Sequence, residues 1–447
     1  MRLAFKAMMV VVLTLAILLP LTMVRETINE RQQYRADAVR KVGASFGGRQ
    51  VVGGPVLVVP YHEDVEEDVT GNDGIVRQVV RRKLSHWTFF PDTLAVSGTL
   101  KPDSRKSGLF LVRVFEWTGQ VDARFDVRIP ADDGIGNRRI GQPWLSVGIS
   151  DVNGLRGTTR FTIDGVATKV AQGIGHADGP GIHTRLFAPQ AGSRLQLAAH
   201  VGLVLQGTET FGMLPLGNSN DLKVNSSWPH PSFNGKSPPL QDINDKGFRA
   251  GWQIASVATN AQRRFLQQPS LASDTPTTGD AIGVSLFDPI NPYTLADRAT
   301  KYGLLFVLLT FVGFFMFELI KQVRVHPIQY LLVGLAIAIF FLLLVSLSEH
   351  TDFGVSYLIA ALACIGLIGF YLAAVLQSAA RGSGFAAMLG ALYAALYGLL
   401  VLEDIALVMG AGLLFAILAA LMVATRKVDW YQVAARAPAP VDEDTRA

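Results

Sequence analysis

Ile328-Gln329-Tyr330-Leu331-Leu332-Val333-Gly334-Leu335-Ala336-Ile337-Ala338-Ile339-Phe340-Phe341-Leu342-Leu343-Leu344-Val345-Ser346-Leu347 contains no charged side chain. As a helix rising about 1.5 Å per residue it reaches roughly 30 Å, the depth of a hydrocarbon layer. An uninterrupted apolar run of that length reads as a membrane span. Working outward, comparable runs occupy 303–320, 354–376, 384–402 and 405–424, and a further one, Ala7–Val24, follows Arg2 and Lys6 near the other end. Six spans are predicted, one ahead of a long polar segment and five after it.

The Ala7–Val24 run is longer than the apolar part of a signal peptide, and it continues as Arg25-Glu26-Thr27-Ile28-Asn29-Glu30-Arg31 without a small-x-small cleavage site. It reads as an uncleaved anchor. The spans account for the composition: of 447 residues 50% are apolar and only 17% charged, well under the quarter usual for a soluble domain. Net charge is +4, but the basic residues are scattered and accompany no nucleic-acid-binding motif. No nucleic-acid partner is expected. The single cysteine, Cys364, lies inside a span, which excludes an intrachain disulfide and any CxxC site.

Lys and Arg collect in cytoplasmic loops. Lys321, Arg324, Arg381, Arg426, Lys427 and Arg436 lie in alternate loops and the tail, whereas Ser348–Phe353 and the loop around Glu403-Asp404 carry no Lys or Arg. Both termini are therefore expected in the cytoplasm, with residues 25–302 external.

Residues 25–50 read as a helical stalk with a narrow apolar stripe at Val39, Val42 and Phe46. From Val51 the pattern becomes short runs rich in β-branched and aromatic residues, divided by Gly, Asn, Asp and Pro. Val121-Asp122-Ala123-Arg124-Phe125-Asp126-Val127-Arg128-Ile129 alternates with the period of a half-wet strand. A mostly antiparallel β domain is expected over 51–302, as a sandwich or a long curved sheet. Asn260–Asp280 reads as a loop, with a helical turn or two at Ala261–Gln268. The organisation is an anchor at 1–24, the stalk, the external domain, a five-span bundle at 303–424 and a tail at 425–447.

Signals for chemistry are sparse. Asp297, Arg298, Lys301, Glu318, His326, Glu349 and His350 fall near span ends and read as membrane-interface anchors; none lies at a span midpoint, where ionisable groups mark transport pathways. Ala386, Gly390, Ala394 and Gly398 recur every fourth residue, a stripe that lets helices approach closely. Tyr393 and Tyr397 form an i+4 pair on a neighbouring face. Glu349, His350 and Asp352 with Glu403-Asp404 would make a mixed ligand set if their loops met, but solvated loop ends are the simpler reading. His62-Glu63-Asp64, His176 and His183 match no zinc spacing. Gly43-Ala44-Ser45-Phe46-Gly47 has the GxSxG pattern, yet a helix precedes it and a strand-like run follows, the reverse of a hydrolase elbow. Gly173–Gly179 reads as a turn. Trp87, Trp117, Trp144, Trp228 and Trp252 fall in the external domain and read as core. No catalytic residue, cofactor or metal site is assigned.

Asp297–Gly303, Arg324–Leu335, Ser346–His350 and Thr425–Tyr431 closely resemble the CreD family of inner-membrane cell-envelope-integrity proteins, as do Trp228-Pro229-His230-Pro231-Ser232-Phe233 and the stalk Asn29–Arg35. The resemblance covers essentially the whole chain. It implies an inner-membrane protein with one anchor, a large periplasmic domain and a helical bundle, expressed in response to metabolic and cell-wall stress, β-lactams included. It carries over no catalytic residue. Trp228, Pro229, His230 and Pro231, whose prolines forbid helix and central strand, are the first candidate for a functional surface. The expected function is a non-enzymatic sensor, scaffold or binder of an envelope component or protein partner, in contact with membrane lipids; the alternative is a transporter or channel component for a lipid-linked or amphipathic molecule.

Overall fold

A computed structural model describes residues 2–70, 76–131, 137–175, 179–268, 271, 280–286, 292–321, 325–401 and 406–426. Glu403-Asp404, His176, Arg324, Lys427 and Arg436 lie outside the described residues. The chain divides into two compact units, Met1–Tyr34 with Ile290–Ala447, and Arg35–Pro289.

The chain opens with α1 (Arg2–Ala16) and α2 (Leu18–Phe46), separated at Ile17. Pro20 explains the break, because its ring lacks an N–H and crowds the carbonyl of Ala16. Helical bonding persists around it, with the Ile17 N–H on Leu13 O and the Leu21 N–H on Ile17 O. α2 stops at Gly47, whose φ of +102° suits glycine and whose added Cβ would lie 2.6 Å from Gln206 O. The GxSxG match is thus a helix-ending turn, in which Ser45 Oγ donates to Val42 O.

The β unit contains β1 (Gln50–Thr70), β2 (Val76–Phe89), β3 (Thr93–Ser107), β4 (Phe110–Arg128), β5 (Arg139–Ile140), β6 (Trp144–Ile149), β7 (Leu155–Ile163), β8 (Val166–Ala167), β9 (Ala171–Gln172), β10 (Gly181–Arg185), β11 (Arg194–Thr208) and β12 (Thr210–Leu214). It continues with β13 (Ser219–Ser226), β14 (Ser232–Asn234), β15 (Leu240–Asn244), β16 (Gly247–Ala255), α3 (Ala261–Gln267) and β17 (Ile282–Ser285). One sheet runs β14-β17-β12-β1-β6-β10-β9, with β2 and β5 also paired to β1; the other runs β15-β16-β13-β3-β4-β11-β7-β8. Pairing is antiparallel except between β1 and β12 and between β13 and β3. The inner faces of both sheets supply one core, from Val56, Leu57 and Val58 on one side to Val96, Val121 and Phe125 on the other. The domain is therefore a sandwich. In β4 Val121, Ala123, Phe125 and Val127 are buried while Arg124, Asp126 and Arg128 face out, as the alternation requires. The stalk stripe also has its partner: Ala38 and Val42 bury against Val112 and Val114 of β4.

The remaining helices are α4 (Pro292–Lys321), α5 (Pro327–Ser348), α6 (Phe353–Val375), α7 (Ala379–Val401) and α8 (Ala406–Thr425). Five helices among the described residues are long and apolar enough to cross a membrane: Met8–Phe46, Pro292–Met316 and the whole of α5, α6 and α7. The sixth span is expected at 405–424; α8 lies there as a 20-residue helix without Asp, Glu, Lys or Arg, but is not among these five. α4 starts ahead of the apolar run, so Asp297, Arg298 and Lys301 stand on the helix itself. Close helix approach is set by small residues. An added Cβ at Gly334 would lie 2.7 Å from Ile17 Cγ1, and one at Gly382 would lie 2.6 Å from Ala373 Cβ.

Candidate functional site

The Trp228–Pro231 segment leaves β13 and turns into β14. Its two prolines remove backbone donors and prevent the strand from continuing. The indole folds back, Nε1 donating to the His230 carbonyl at 2.8 Å, and the Arg113 guanidinium covers its face, 4.8 Å from the ring centroid. A guanidinium at that distance is attracted by the ring's electron-rich face. Trp228 is half-buried against the core, while His230 is exposed.

Arg113 leads to a buried carboxylate in the β unit. Its carbonyl accepts the N–H of Glu209, the residue joining β11 to β12. Glu209 has a φ of +59°, unusual for a side chain without a local hydrogen-bonding reason. Its side chain is 4% exposed, and its two carboxylate oxygens pair with different arginines, Oε1 with Arg35 at 3.3 Å and Oε2 with Arg49 at 3.2 Å. Arg35 belongs to α2 and Arg49 to the turn that follows it. A buried carboxylate is tolerable only when so paired. Trp228, Arg113, Glu209, Arg35 and Arg49 thus form a connected constellation within the β unit, of which sequence reasoning found only the tryptophan. The available signal was one acid, Glu209, between two strand-like runs.

In the helical unit two of the expected interface anchors, Asp297 and Lys301, pair with each other, and Glu349 pairs with an arginine of α2. Asp297 pairs with Lys301 at 2.7 Å and with Arg25 of α2 at 3.5 Å. Glu349, only 8% exposed, accepts from the Tyr293 hydroxyl at 3.2 Å and pairs with Arg31 of α2 at 3.4 Å. His326 caps α5 in a box with Gln329, and His350 lies exposed just past its end. Arg298 stands on α4. Glu318, close to the end of α4, has its carboxylate packed inside the unit, accepting from Tyr330 Oη at 3.0 Å and from the Val325 N–H at 3.3 Å. The tyrosine lies twelve positions on, in α5.

The stripe on α7 is one position off the buried face, which is Gly382, Phe385, Leu389, Tyr393, Leu396 and Leu400. Ala386 nonetheless faces Gly369 of α6, and Gly398 faces Met409 of α8, whereas Ala394 is exposed. Tyr393 and Tyr397 separate likewise. Tyr393 is buried and donates to Cys364 Sγ at 3.1 Å, and its carbonyl accepts from Tyr357, while Tyr397 is exposed.

The remaining ionisable candidates serve the fold. Asp64 is bound by Arg82 and Asn137, and Glu63 by Ser85 and Arg138. His183 Nδ1 lies 2.8 Å from Gly173 O. Among the described residues no three His, Cys, Asp or Glu side chains gather as a metal site. Trp117 and Trp252 are fully buried, Trp87 stacks on Tyr61 at 4.0 Å, and Trp144 Nε1 donates to Ile174 O.

A family model described as inner membrane protein CreD matches residues 2–431. The inner membrane protein CreD of Escherichia coli strain K12 is 35% identical over 427 residues, covering 93% of this chain and 91% of that protein. Among solved structures, the M1 zinc metallopeptidase of Deinococcus radiodurans is similar over 37% of this chain and 38% of its own, with 10% identity and a TM-score of 0.19. That likeness is too slight to bear on fold or activity.

Proposed function

The chain belongs to the CreD family of inner membrane proteins, and from that premise we propose that it supports cell-envelope integrity as a non-enzymatic sensor, scaffold or binder under envelope stress, β-lactam stress included. In this reading both termini are cytoplasmic and residues 25–302 are periplasmic. The observation that carries it is the constellation around Glu209. The Trp228–Pro231 segment is held by Arg113, whose carbonyl accepts the backbone N–H of Glu209, the residue whose carboxylate pairs with Arg35 and Arg49. A ligand that displaces Trp228 acts on the strand to which the base of α2 is tied. A photo-crosslinking residue at His230 in the full-length protein should trap a specific protein or glycan in cells challenged with a β-lactam, and Trp228→Ala should abolish the adduct. Recovery of lipid alone, or of an adduct indifferent to the challenge, overturns the reading.

A second reading, a transporter or channel component, draws on Glu318, because a buried carboxylate among spans is costly unless it serves a purpose. Reconstituted vesicles decide it: transport of a lipid-linked or amphipathic substrate should fall when Glu318→Gln removes the charge while keeping the Tyr330 hydrogen bond.

A further inference from the structure

On the outer face of the second sheet, opposite the core, the strand register builds a small polar grid. Lys223, Gly251 and Leu240 lie side by side on β13, β16 and β15, and Asn225, Arg249 and Asp242 form the next row. The alternate residues Val224 and Ala250 are buried, which fixes the grid as outward-facing. An open groove of about 530 Å³ lies over it and continues into a second of about 400 Å³ that shares Asn225, Asp242 and Arg249. The hollow exists because Gly251 has no side chain. A Cβ there would meet nothing closer than 3.9 Å, so glycine is not required by the packing.

Two of the polar groups are uncommitted. Arg249 and Asp242 face each other in register, yet neither has a side-chain hydrogen bond or ion pair among the described residues. Thr99 donates to Asn225 Oδ1 at 3.0 Å, leaving the Asn225 amide N–H groups to point elsewhere. Lys223 is shared with Asp221 at 2.7 Å. Leu240, 77% exposed, offers an apolar surface at the rim.

We propose that this groove binds an oligosaccharide bearing carboxylate groups. Planar Asn, Asp and Arg side chains match pairs of neighbouring hydroxyls, with Asp242 accepting and Asn225 donating. An unpaired guanidinium receives a carboxylate in two parallel hydrogen bonds, and the open stretch over Gly251 gives a sugar ring room to lie against Leu240. The proposal deepens the binder reading by naming a ligand class, and it rests on a surface separate from Trp228.

The test uses the full-length protein in lipid nanodiscs and calorimetric titration with three tetrasaccharides. One alternates N-acetylglucosamine with N-acetylmuramic acid, its carboxylates on lactyl ethers; one is a hyaluronan tetrasaccharide, its carboxylates on the ring; one is neutral chitotetraose. Binding of either acidic sugar at least tenfold tighter than chitotetraose is expected, and the better of the two identifies the source of the carboxylate. Arg249→Gln should weaken it about tenfold, and Gly251→Leu, which fills the hollow, should abolish it while leaving the unfolding midpoint unchanged. Equal affinity for chitotetraose, or undiminished binding by Gly251→Leu, overturns the proposal. If neither acidic sugar binds but the Trp228-dependent adduct persists, the groove assignment fails and the binder reading stands.

Discussion

The guanidinium of Arg35 donates to the carboxylate of Glu209 at 3.3 Å, joining positions 174 residues apart. Arg49 takes the other oxygen. Because the carboxylate is buried and both arginines are partly exposed, the burden of losing a partner falls on the acid. Either arginine alone should be removable to alanine for about 1 kcal/mol, since water screens the exposed partner. Removing both leaves an uncompensated buried charge and should cost about 3 kcal/mol, more than the two single losses together. Denaturant unfolding of the full chain followed by tryptophan fluorescence measures the difference. Simple additivity would show that the arginines do not share the carboxylate.

The indole of Trp117 is fully buried and stacks on Phe211 at 4.7 Å, and it lies across two residues that have no side chains. A Cβ at Gly119 would fall 2.1 Å from Trp117 Cζ2, and one at Gly98, its cross-strand neighbour, 2.4 Å from Nε1. Phe211 prevents the indole from retreating. Gly119→Ala should therefore destabilise the β unit by about 2 kcal/mol through overpacking, shifting the urea midpoint without changing the slope. Gly251→Ala, on the open face, should shift it by less than about 0.5 kcal/mol.

These two relationships mark what was legible in the sequence. The alternation of Val121–Ile129, the turn at Gly47 and the lengths of the spans are local, set by period, by glycine's φ and by helix rise, and each was readable. Trp117 was readable as core because an indole in a strand has few other places to go. That it needs Gly98 and Gly119 beneath it was not, since those glycines resemble any turn glycine until strand register is known. Glu209 was missed for a related reason: its partners come from the stalk, far away in the chain. Glu318 is legible as an acid near the end of its span, but its bond from the Tyr330 hydroxyl is not, because the tyrosine lies on the next helix.

On the outer surface of the sandwich Asp126 is held down to about 2, first by hydrogen bonds from Arg194 and then by Gln196 at 2.9 Å. An unfolded aspartate titrates at about 3.9. The folded state thus favours the ionised form, and the pair's contribution is complete above about pH 4 and lost as pH falls from there toward 2. Arg194→Gln should return Asp126 toward the ordinary aspartate value and make the unfolding midpoint less steep with pH over that window, with little effect near neutrality. An unchanged acid limb in Arg194→Gln would remove the pair from the acid response.

The proposed orientation yields to thiol labelling, and the protein's own cysteine does not interfere. Cys364 is buried in α6, where its thiol lies 3.4 Å from the Ala336 carbonyl and accepts from Tyr393. A second cysteine is then the accessible one. His230→Cys, at an exposed position of the β unit, should react with a membrane-impermeant maleimide in cells whose outer membrane alone has been permeabilised. Arg381→Cys, exposed in the first turn of α7 at an end expected in the cytoplasm by its basic residue, should react only after the inner membrane is breached. The reverse order would invert the topology and move the Trp228 segment and the groove over Gly251 to the cytoplasmic side, where a carboxylate-bearing envelope glycan would not reach them.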